Sequence, residues 1–475
     1  MSEPTATAHR PATFRDVLAN REFTAVFLAS SLSWFGDYAA RAAITALVYQ
    51  RTGSVAASAA AFAISYLPWL GIGSLLASLA ERHSYRRVMI HCDLLRMGLM
   101  ATIAVAELPI WGMITLLFAT SLLNPPFEAA RSALQARLLD GDRYVVGLAM
   151  QKSAAQGAIV LGYVAGAGLA TFDARLALLF NAATFGISAL LIAAFVADRP
   201  PGIAADQRTG LVRETAAGFG MVFRTPLLRA IAILVFAESF FTIVPEGLAA
   251  GWAATLTEST PDRGLYQAII MIAGPVGFIA GGLLISRLVA PATRIRLIRP
   301  LAVLAPLALV PALLSPGIYV IAAMNALCGF ALGGLMPVAN GLFVRAVPVS
   351  FRARAFGVVQ SGGQIVQGAA VLGAGVLADW IALPVVAGLW AAVGVLALLV
   401  VITWWPGPET LADAMAAGWP VGDRRVGDRR PGPVRTAAFP VQPAVLTSAD
   451  LAATQPPEVD HPSAGRGGRP PHSVR

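Results

Sequence analysis

Charged residues, cysteine and lysine are all scarce in this chain of 475 residues. Only 13% of the residues are charged and 57% are hydrophobic, which excludes an ordinary soluble protein of this length. The two cysteines, Cys92 and Cys328, lie far apart in apolar segments, so the sequence supports neither a disulfide framework nor a thiolate metal site. The single lysine, Lys152, follows Gln151 and not glycine, so we find no ATP-binding motif and no sign of an ATP-driven motor.

Histidine is also rare, and the five that occur form no catalytic pattern. No two of them have metal-ligand spacing within one apolar segment, since His83 and His91 lie on either side of a predicted helix start. None lies deep in an apolar segment, where it could activate a serine away from water. We therefore expect no enzyme, no metal site and no cofactor.

Twelve apolar segments make up most of the chain, and each is long enough to cross a bilayer as a helix. A polar stretch at 198–226 separates six of them from the other six. The sequence predicts an all-α membrane protein with twelve transmembrane helices in two pseudo-symmetric six-helix bundles, 23–197 and 227–405. The predicted spans are 23–49, 55–80, 87–107, 110–135, 149–171, 175–197, 227–252, 264–289, 297–315, 317–342, 354–380 and 383–405.

A short internal repeat supports the duplication. Gln-Gly-Ala at 156–158 recurs at 367–369, in the fifth predicted helix of each bundle. Outside the bundles, residues 1–22 are predicted to be a cytoplasmic tail and 198–226 a cytoplasmic linker. Residues 406–475 are rich in proline, glycine, alanine and arginine, which predicts a disordered cytoplasmic tail.

The basic residues are distributed unevenly, since 30 of the 35 lysines and arginines fall on one side of the predicted helices. The positive-inside rule puts that side, with both chain ends, in the cytoplasm, and it predicts a multi-pass protein of the cell inner (plasma) membrane. Because these residues lie in short loops beside the bilayer, we expect them to contact lipid headgroups and not nucleic acid.

The loop after the second predicted helix carries the strongest motif. Residues 77–82, Ala-Ser-Leu-Ala-Glu-Arg, followed by Arg86 and Arg87, resemble the Gly-x-Leu-x-Asp-Arg-x-x-x-Arg-Arg motif of the major facilitator superfamily. Over 23–405 the chain is most similar to the bacterial drug and metabolite exporter branch, which includes macrolide and siderophore exporters. The resemblance implies an inner gate at this loop, although the arginines alone would also fix topology. The residues assigned to the gate are Glu81, Arg82, Arg86, Arg87, Asp93, Arg96, Glu128 and Arg131.

The fifth predicted helix resembles the family's antiporter motif only in part. Gly157, Gly162, Gly166 and Gly168 are present, but Tyr163 stands where the motif has proline. These glycines are also explained by close packing between helices, so the motif leaves antiport open.

Charged residues inside predicted spans are the main site candidates, because charge is costly in a bilayer. Asp37 and Arg41 are one helical turn apart and would share a helix face, and Glu238 has no obvious partner in sequence. Asp37, Arg41 and Glu238 are therefore candidates for proton coupling. A permanent Asp37–Arg41 ion pair and a contact with substrate remain alternatives. Glu246 is interpreted as an interfacial residue, with a function in the cavity as its alternative.

Uncharged polar residues within the spans predict a cavity lining, although glutamine and asparagine between helices also serve as packing contacts. Pro68, Pro245 and Pro275 are candidate hinges. The cavity-lining candidates are Asn181, Asn325, Asn340, Gln360, Gln364 and Gln367.

Together these features predict a secondary transporter of a small molecule that alternates access around a midplane cavity. The leading hypothesis is proton-coupled export of a hydrophobic or amphipathic molecule, such as a drug, macrolide, siderophore or secondary metabolite. Proton-coupled uptake of an organic solute remains an alternative. A non-transporting receptor or a lipid-translocating homologue of the fold is an alternative of another class.

Overall fold

The computed structural model describes residues 13–69, 83–199, 211–348 and 352–407. Within these ranges every regular element is a helix, and a helix occupies each of the twelve predicted spans. This confirms the predicted all-α membrane fold. The helices are α1 (Arg21–Thr52), α2 (Val55–Trp69), α3 (Tyr85–Val105), α4 (Ile110–Leu138), α5 (Gly141–Phe172), α6 (Ala174–Phe195), α7 (Pro226–Gly247), α8 (Thr260–Leu288), α9 (Thr293–Leu314), α10 (Ile318–Ala346), α11 (Arg352–Ala378) and α12 (Leu383–Thr403).

Ten of these helices, α3 to α12, are long and apolar enough to cross a membrane. α1 is long as well but more polar, since it carries Asp37 and Arg41. The second predicted span reaches residue 80, and its part beyond Trp69 lies outside the described residues. We call α1–α6 the N half and α7–α12 the C half. The terminal end of the molecule is the end where α1 begins, and the distal end is the end where α1 finishes.

Several helices depart from the simple predicted spans at proline. α7 stops being regular at Ile243, just before Pro245, and the last turns of α2, which contain Pro68, form a 3₁₀ helix. α4 is interrupted at Leu123, ahead of two prolines that the sequence analysis did not single out. α8 in contrast continues through Pro275. A proline removes one helix hydrogen bond, and neighbouring packing decides whether the helix breaks.

The segment between the two halves is partly helical, which the interpretation as a polar linker missed. Residues Leu211–Arg224 form a helix, and Val222 in it is completely buried against the C half. A backbone contact between Gly218 and Arg354 brings this helix close to α11. Apolar residues at helical spacing therefore dock the second part of the linker onto the C half.

Helices α1 and α5 approach each other closely because two glycines of α5 face α1. A Cβ atom added at Gly162 would lie 2.7 Å from the carbonyl oxygen of Phe35, and one added at Gly166 would overlap the carbonyl group of Ala39. Gly168 has open space where a Cβ would be. The packing interpretation of the glycine motif is therefore correct for Gly162 and Gly166. This contact brings the side chains of α1 and α5 described below to one place.

We expect Gly166→Ala to lower the free energy of unfolding by about 1–3 kcal/mol, because the added methyl group forces α1 and α5 apart. The matched variant Gly168→Ala adds the same methyl group in open space and should be neutral or slightly stabilising, since alanine favours helix. Thermal and denaturant unfolding of the purified protein would measure both. Equal stabilities of the two variants would show that the α1–α5 contact is not tight.

Candidate functional site

Arg41 lies in the interior of the molecule within a group of aromatic rings. Its guanidinium carbon is 5.1 Å from the ring centre of Tyr38, 5.2 Å from that of Phe62 and 5.6 Å from that of Tyr66. Such cation–π contacts stabilise a cation that has left water. In the described part of the chain no ion pair joins Arg41 to Asp37, so the permanent pair considered from the sequence is not formed.

Tyr163 and Glu246 join the two halves beside this group. The Tyr163 hydroxyl on α5 donates a hydrogen bond to Oε1 of Glu246 on α7. The Tyr163 ring is fully buried and packs edge-on against Tyr38, with ring centres 5.2 Å apart. Arg41 is near enough to both to interact with them electrostatically. The interfacial interpretation of Glu246 was therefore wrong, since its carboxylate is inside the protein and bridges the halves.

The sequence contained two signals for this bridge. Tyr163 replaces the proline of the antiporter motif, and Glu246 directly follows Pro245, next to the break in α7. Neither signal identifies the partner, because spacing along one helix says nothing about which other helix lies opposite.

A cavity of about 250 Å³ lies between α5 of the N half and α7, α8 and α10 of the C half. Most of its wall is apolar, with Ile159, Ile270, Met271 and Leu332 among the lining residues. The polar residues in the wall are Gln156, Thr242, Glu246 and Asn325. An apolar cavity with few polar groups is typical of a small-molecule site.

Asn325 is the predicted cavity-lining residue that the structure places in this wall. It is 6% exposed, and its amide nitrogen has no hydrogen-bond partner among the described residues. A buried donor without a partner is costly unless a ligand or water satisfies it. Asn325 is therefore available to bind a polar group in the cavity.

Glu238 is completely buried in α7, one helical turn before the cavity. Neither of its carboxylate oxygens has a hydrogen-bond partner in the described part of the chain. Its backbone carbonyl accepts a hydrogen bond of 2.7 Å from the hydroxyl of Thr242, which lines the cavity. An unpaired carboxylate in such a place carries a large desolvation penalty. The structure thus places this predicted candidate next to the cavity with nothing to balance a negative charge.

Asp37 lies farther within the N half, where it is half-buried. The amide nitrogen of Asn181 on α6 lies 3.4 Å from its Oδ1. Asn181 is itself completely buried and accepts a hydrogen bond from Thr184. Asn181 therefore packs α6 against α1, which is the alternative role considered for the polar candidates.

Of the remaining cavity-lining candidates, Asn340 lies on the terminal part of α10, Gln360 on the terminal part of α11, and Gln364 and Gln367 near the middle of α11. Asn340 and Gln360 are exposed, whereas Gln364 and Gln367 are half-buried. The structure does not bring them to the cavity around Asn325. Their role as a lining remains a prediction.

Two of the gate residues, Glu81 and Arg82, lie outside the described residues. Arg86 donates to the carbonyl of Ala193 at 2.6 Å, and Arg87 donates to Oδ2 of Asp198 at 2.7 Å. The Ser84 hydroxyl also donates to Asp198, and these two donors hold the pKa of that carboxyl below its usual range. In this conformation Arg86 and Arg87 bind the chain at the end of α6, within the N half.

Asp93 and Arg96, also assigned to the inner gate, form a buried ion pair within the N half. Their closest charged atoms are 3.6 Å apart, and both side chains are at most 3% exposed. Ser188 donates to Asp93 at 2.6 Å, and Arg96 donates to the carbonyl of Leu123 at 2.6 Å, at the interruption of α4. Breaking one member of such a pair leaves the other charge buried. The pair therefore fastens α3 to α4 and α6.

Glu128 and Arg131 form a second ion pair, on α4. Arg131 also donates to Oε1 of Gln151 on α5, and its guanidinium lies 4.9 Å from the ring centre of Trp34 on α1. The Trp34 indole donates to Glu128 at 3.4 Å. In the described residues this network belongs to the N half, and part of the loop after α2, where the predicted gate begins, lies outside them.

At the distal end the halves are joined by Asp379, which the sequence analysis did not single out. Its Oδ2 accepts a hydrogen bond from Ser54 at 2.8 Å, and its Oδ1 accepts from the backbone N–H groups of Val55 at 2.8 Å and Ala56 at 3.2 Å. A carboxylate at a helix N-terminus is favoured by the helix dipole and by its free N–H groups. Asp379 at the end of α11 thus caps α2 in the other half.

Gln267 makes a second contact between the halves. Its amide nitrogen donates to the carbonyl of Ala42 at 2.8 Å and to the hydroxyl of Thr45 at 3.0 Å, and the side chain is buried. Gln267 lies in the distal part of α8, and Ala42 and Thr45 lie in the distal half of α1. Together, Gln267 and Asp379 hold the distal end closed.

Comparison with known proteins gives a family and a fold. The family model described as Major Facilitator Superfamily matches residues 26–324. No curated protein sequence matches the chain significantly. Several solved transporter structures are similar in fold, all at low sequence identity.

The similar structures include a POT family transporter in complex with 5-aminolevulinic acid, at a TM-score of 0.65 and 12% identity, covering 81% of this chain and 96% of that one. The nucleoside transporter NupG matches at a TM-score of 0.63 and 12% identity, covering 81% and 99%. A bacterial homologue of the human lysosomal transporter Spinster, in an inward-facing and unoccupied conformation, matches at a TM-score of 0.61 and 11% identity. The match covers 84% of this chain and 99% of that one. At these identities the likeness concerns the fold.

We expect Asp379→Asn to loosen the distal end, because the neutral amide no longer interacts with the α2 dipole as a charge does. The contact between the halves should lose about 0.3–1 kcal/mol of stabilising free energy at this exposed site. That is enough to raise severalfold the population of molecules in which the halves have separated at the distal end. Spin labels attached at Pro109→Cys and Glu258→Cys, on distal loops of the two halves, would report this separation. It would add a longer component to the distribution of distances between the labels.

The matched control is Asp173→Asn. Asp173 caps α6 at the same end, accepting from the Arg175 N–H at 2.8 Å, but it does so within one half. This variant should leave the distance distribution unchanged. An identical response of the two variants would show that Asp379 is not a latch between the halves.

Proposed function

Because the chain belongs to the major facilitator superfamily, we propose that it is a secondary active transporter that exports a hydrophobic or amphipathic small molecule in exchange for protons. The observation that carries this proposal is the apolar cavity between the halves, with the carboxylate of Glu246 in its wall. Apolar walls suit an apolar body, and Gln156, Thr242 and Asn325 offer a few polar contacts for its orientation. Candidate substrates are drugs, macrolides, siderophores and other secondary metabolites, as the resemblance to the exporter branch implies.

The bridge between Tyr163 and Glu246 supports coupling between a proton and the movement of the halves. As a carboxylate, Glu246 accepts the Tyr163 hydrogen bond and attracts the nearby Arg41. A charge-assisted hydrogen bond is stronger than a neutral one, so protonation of Glu246 weakens the link between α5 and α7. A substrate that enters the cavity reaches the same carboxylate. Proton and substrate would then compete for one group that also joins the halves.

Glu238 and Asp37 remain coupling candidates beside Glu246. Of the three carboxyl groups, Glu238 is stabilised most by protonation, because a neutral acid avoids the desolvation penalty of an unpaired charge at a buried site. Asp37 interacts electrostatically with Arg96 and Arg41, and it has a hydrogen-bonding contact to Asn181. A proton that moves along α7 from the cavity would use Glu238 and Glu246, whereas a proton that moves along α1 would use Asp37.

The test is accumulation of lipophilic fluorescent dyes and labelled antibiotics in cells that express the intact chain, with and without a protonophore. Export predicts that expressing cells accumulate less dye than cells without the protein, and that the protonophore removes this difference. Glu246→Gln should abolish the proton dependence, and Tyr163→Phe should weaken transport roughly tenfold, because it removes one hydrogen bond to a charged group. The exposed Glu107→Gln, which changes a distal loop acid, is the matched control and should behave as the parent.

The outcomes separate the hypotheses. Higher accumulation in expressing cells would reverse the direction and establish uptake. Export that persists in Glu246→Gln but fails in Asp37→Asn would move the coupling site to α1. No effect across a broad panel, in cells shown to contain folded protein, would contradict export of hydrophobic compounds.

A second prediction concerns Glu238. Glu238→Leu should raise the free energy of unfolding by about 1–3 kcal/mol, because it replaces two unsatisfied buried oxygens with an apolar group of similar size. The same variant should lose proton-driven transport if Glu238 carries a proton. Glu238→Gln keeps a buried polar group and should not gain stability. A Leu variant that is stabilised and transports normally would assign Glu238 no part in coupling.

A further inference from the structure

A second cavity, of about 210 Å³, lies away from the site between the halves. It is a groove formed only by α8, α9 and α10 of the C half, at their terminal ends. Ile285, Val338 and Leu342 contribute apolar walls, and Arg294 and Arg345 also line it. The groove therefore combines an apolar trough with two cations. The proposed transport mechanism does not use it.

Glycines of α10 line the trough, and at one of them, Gly341, the absence of a side chain leaves open space. Gly333 and Gly341 on α10 both line it, and a Cβ atom added at Gly341 would meet nothing within 4 Å. At about 1.5 Å per residue, the path along α10 from Gly333 to Arg345 is roughly 18 Å long. One leaflet contributes about 15 Å of the hydrocarbon core. The trough thus has the length of an acyl chain that starts at the headgroup level.

The two arginines differ in how they are held. The Nε of Arg294 donates to the carbonyl of Val289 at 2.7 Å, and one of its terminal nitrogens donates to the carbonyl of Ser286, so this side chain is fixed on the end of α8. Arg345, near the end of α10, is exposed and makes no hydrogen bond or ion pair with the described residues. The side chain of Arg294 is therefore fixed in position, whereas that of Arg345 can move to contact an anion.

The part of the sequence that forms the groove carries positive charge only. The sequence has no aspartate or glutamate between Asp262 and Asp379, yet this stretch contains eight arginines. Seven of these eight, all except Arg263, fall in the terminal parts of α8–α11 or the loops that join them. Because residues 263–378 contain no acidic side chain, an anion that binds to Arg294 and Arg345 has to come from another segment or from outside the chain.

The groove is beside a surface suited to lipid. Leu283, Leu284 and Leu288 on α8 are large apolar residues that are 52%, 48% and 78% exposed. Large exposed apolar residues on a transmembrane helix indicate contact with acyl chains. The positive-inside rule predicts that the terminal end faces the cytoplasm, where anionic headgroups concentrate.

We propose that this groove binds one anionic phospholipid. Its phosphate is held by Arg294 and Arg345, and one acyl chain lies along the trough past Val338 towards Gly333. The lipid supplies the negative charge that residues 263–378 lack, and its chain fills apolar space that would otherwise be empty. It would also tie the terminal ends of α8, α9 and α10 together.

The test is native mass spectrometry of the intact chain, titrated with phosphatidylglycerol or with phosphatidylcholine. We expect preferential retention of one phosphatidylglycerol. Arg294→Gln and Arg345→Gln should each weaken it by about fivefold, the factor expected for one arginine near an anionic headgroup. Arg299→Gln, which removes an exposed charge at the same end but outside the groove, is the matched control and should retain the lipid.

Gly341→Leu tests the acyl chain independently of charge. It adds an apolar side chain at a position in the trough where a Cβ atom meets nothing within 4 Å, so the protein should stay folded while retention falls. Retention unchanged in all three groove variants, or equal retention of phosphatidylcholine, would overturn the proposal. Complete competition by inorganic phosphate would also overturn it, since it would assign the site to a free anion and not to a lipid.

Discussion

Every ionisable group inside the bilayer has to find its partner within the protein, because hydrocarbon offers none. This structure meets the constraint in two ways and leaves one described group, Glu238, without a partner. Asp93 and Arg96 neutralise each other and are fixed by further hydrogen bonds. Arg41 forms no ion pair with a described residue, and three aromatic rings surround its guanidinium instead. Glu238 has no partner at all among the described residues, so its environment opposes a negative charge. The partner of each group decides whether that group can change its protonation state.

The close approach of α1 and α5 determines where these groups meet. Gly162 and Gly166 let the two backbones touch, and this brings the Tyr38 and Tyr163 rings into contact. Tyr163 then reaches Glu246 on α7, so a packing feature inside the N half controls a polar contact between the halves. If the proposed transporter works by rocking of the two halves, each such contact has to break and re-form, so few of them are expected. Asp379 fits this requirement as well, since its partners are backbone groups at a helix start and no buried charge is left when they separate.

Much of the fold was predictable from the sequence, because twelve apolar segments and a one-sided charge distribution need little tertiary information. The site was less predictable. Periodicity identified Asp37 and Arg41 as neighbours on α1, but it gave no hint that aromatic rings from α2 would take the place of the carboxylate. Glu246 was misread because hydropathy places a residue along a helix and not around it. The linker helix was missed because its apolar residues are too few to mark a span, yet they suffice to bury Val222.

The acidic groups of the two halves differ in a way that favours α7 as the switching helix. Asp93 and Glu128 are tied to arginines of the N half, and Asp37 contacts Asn181 there. Protonating any of these groups would disturb contacts within the N half. On α7, Glu238 is unpaired and Glu246 binds across the interface, so a proton at either changes no ion pair inside its own half. Under the proposed proton coupling, a proton would therefore be most easily converted into relative movement at α7, where the break at Ile243 lies between the two carboxyl groups.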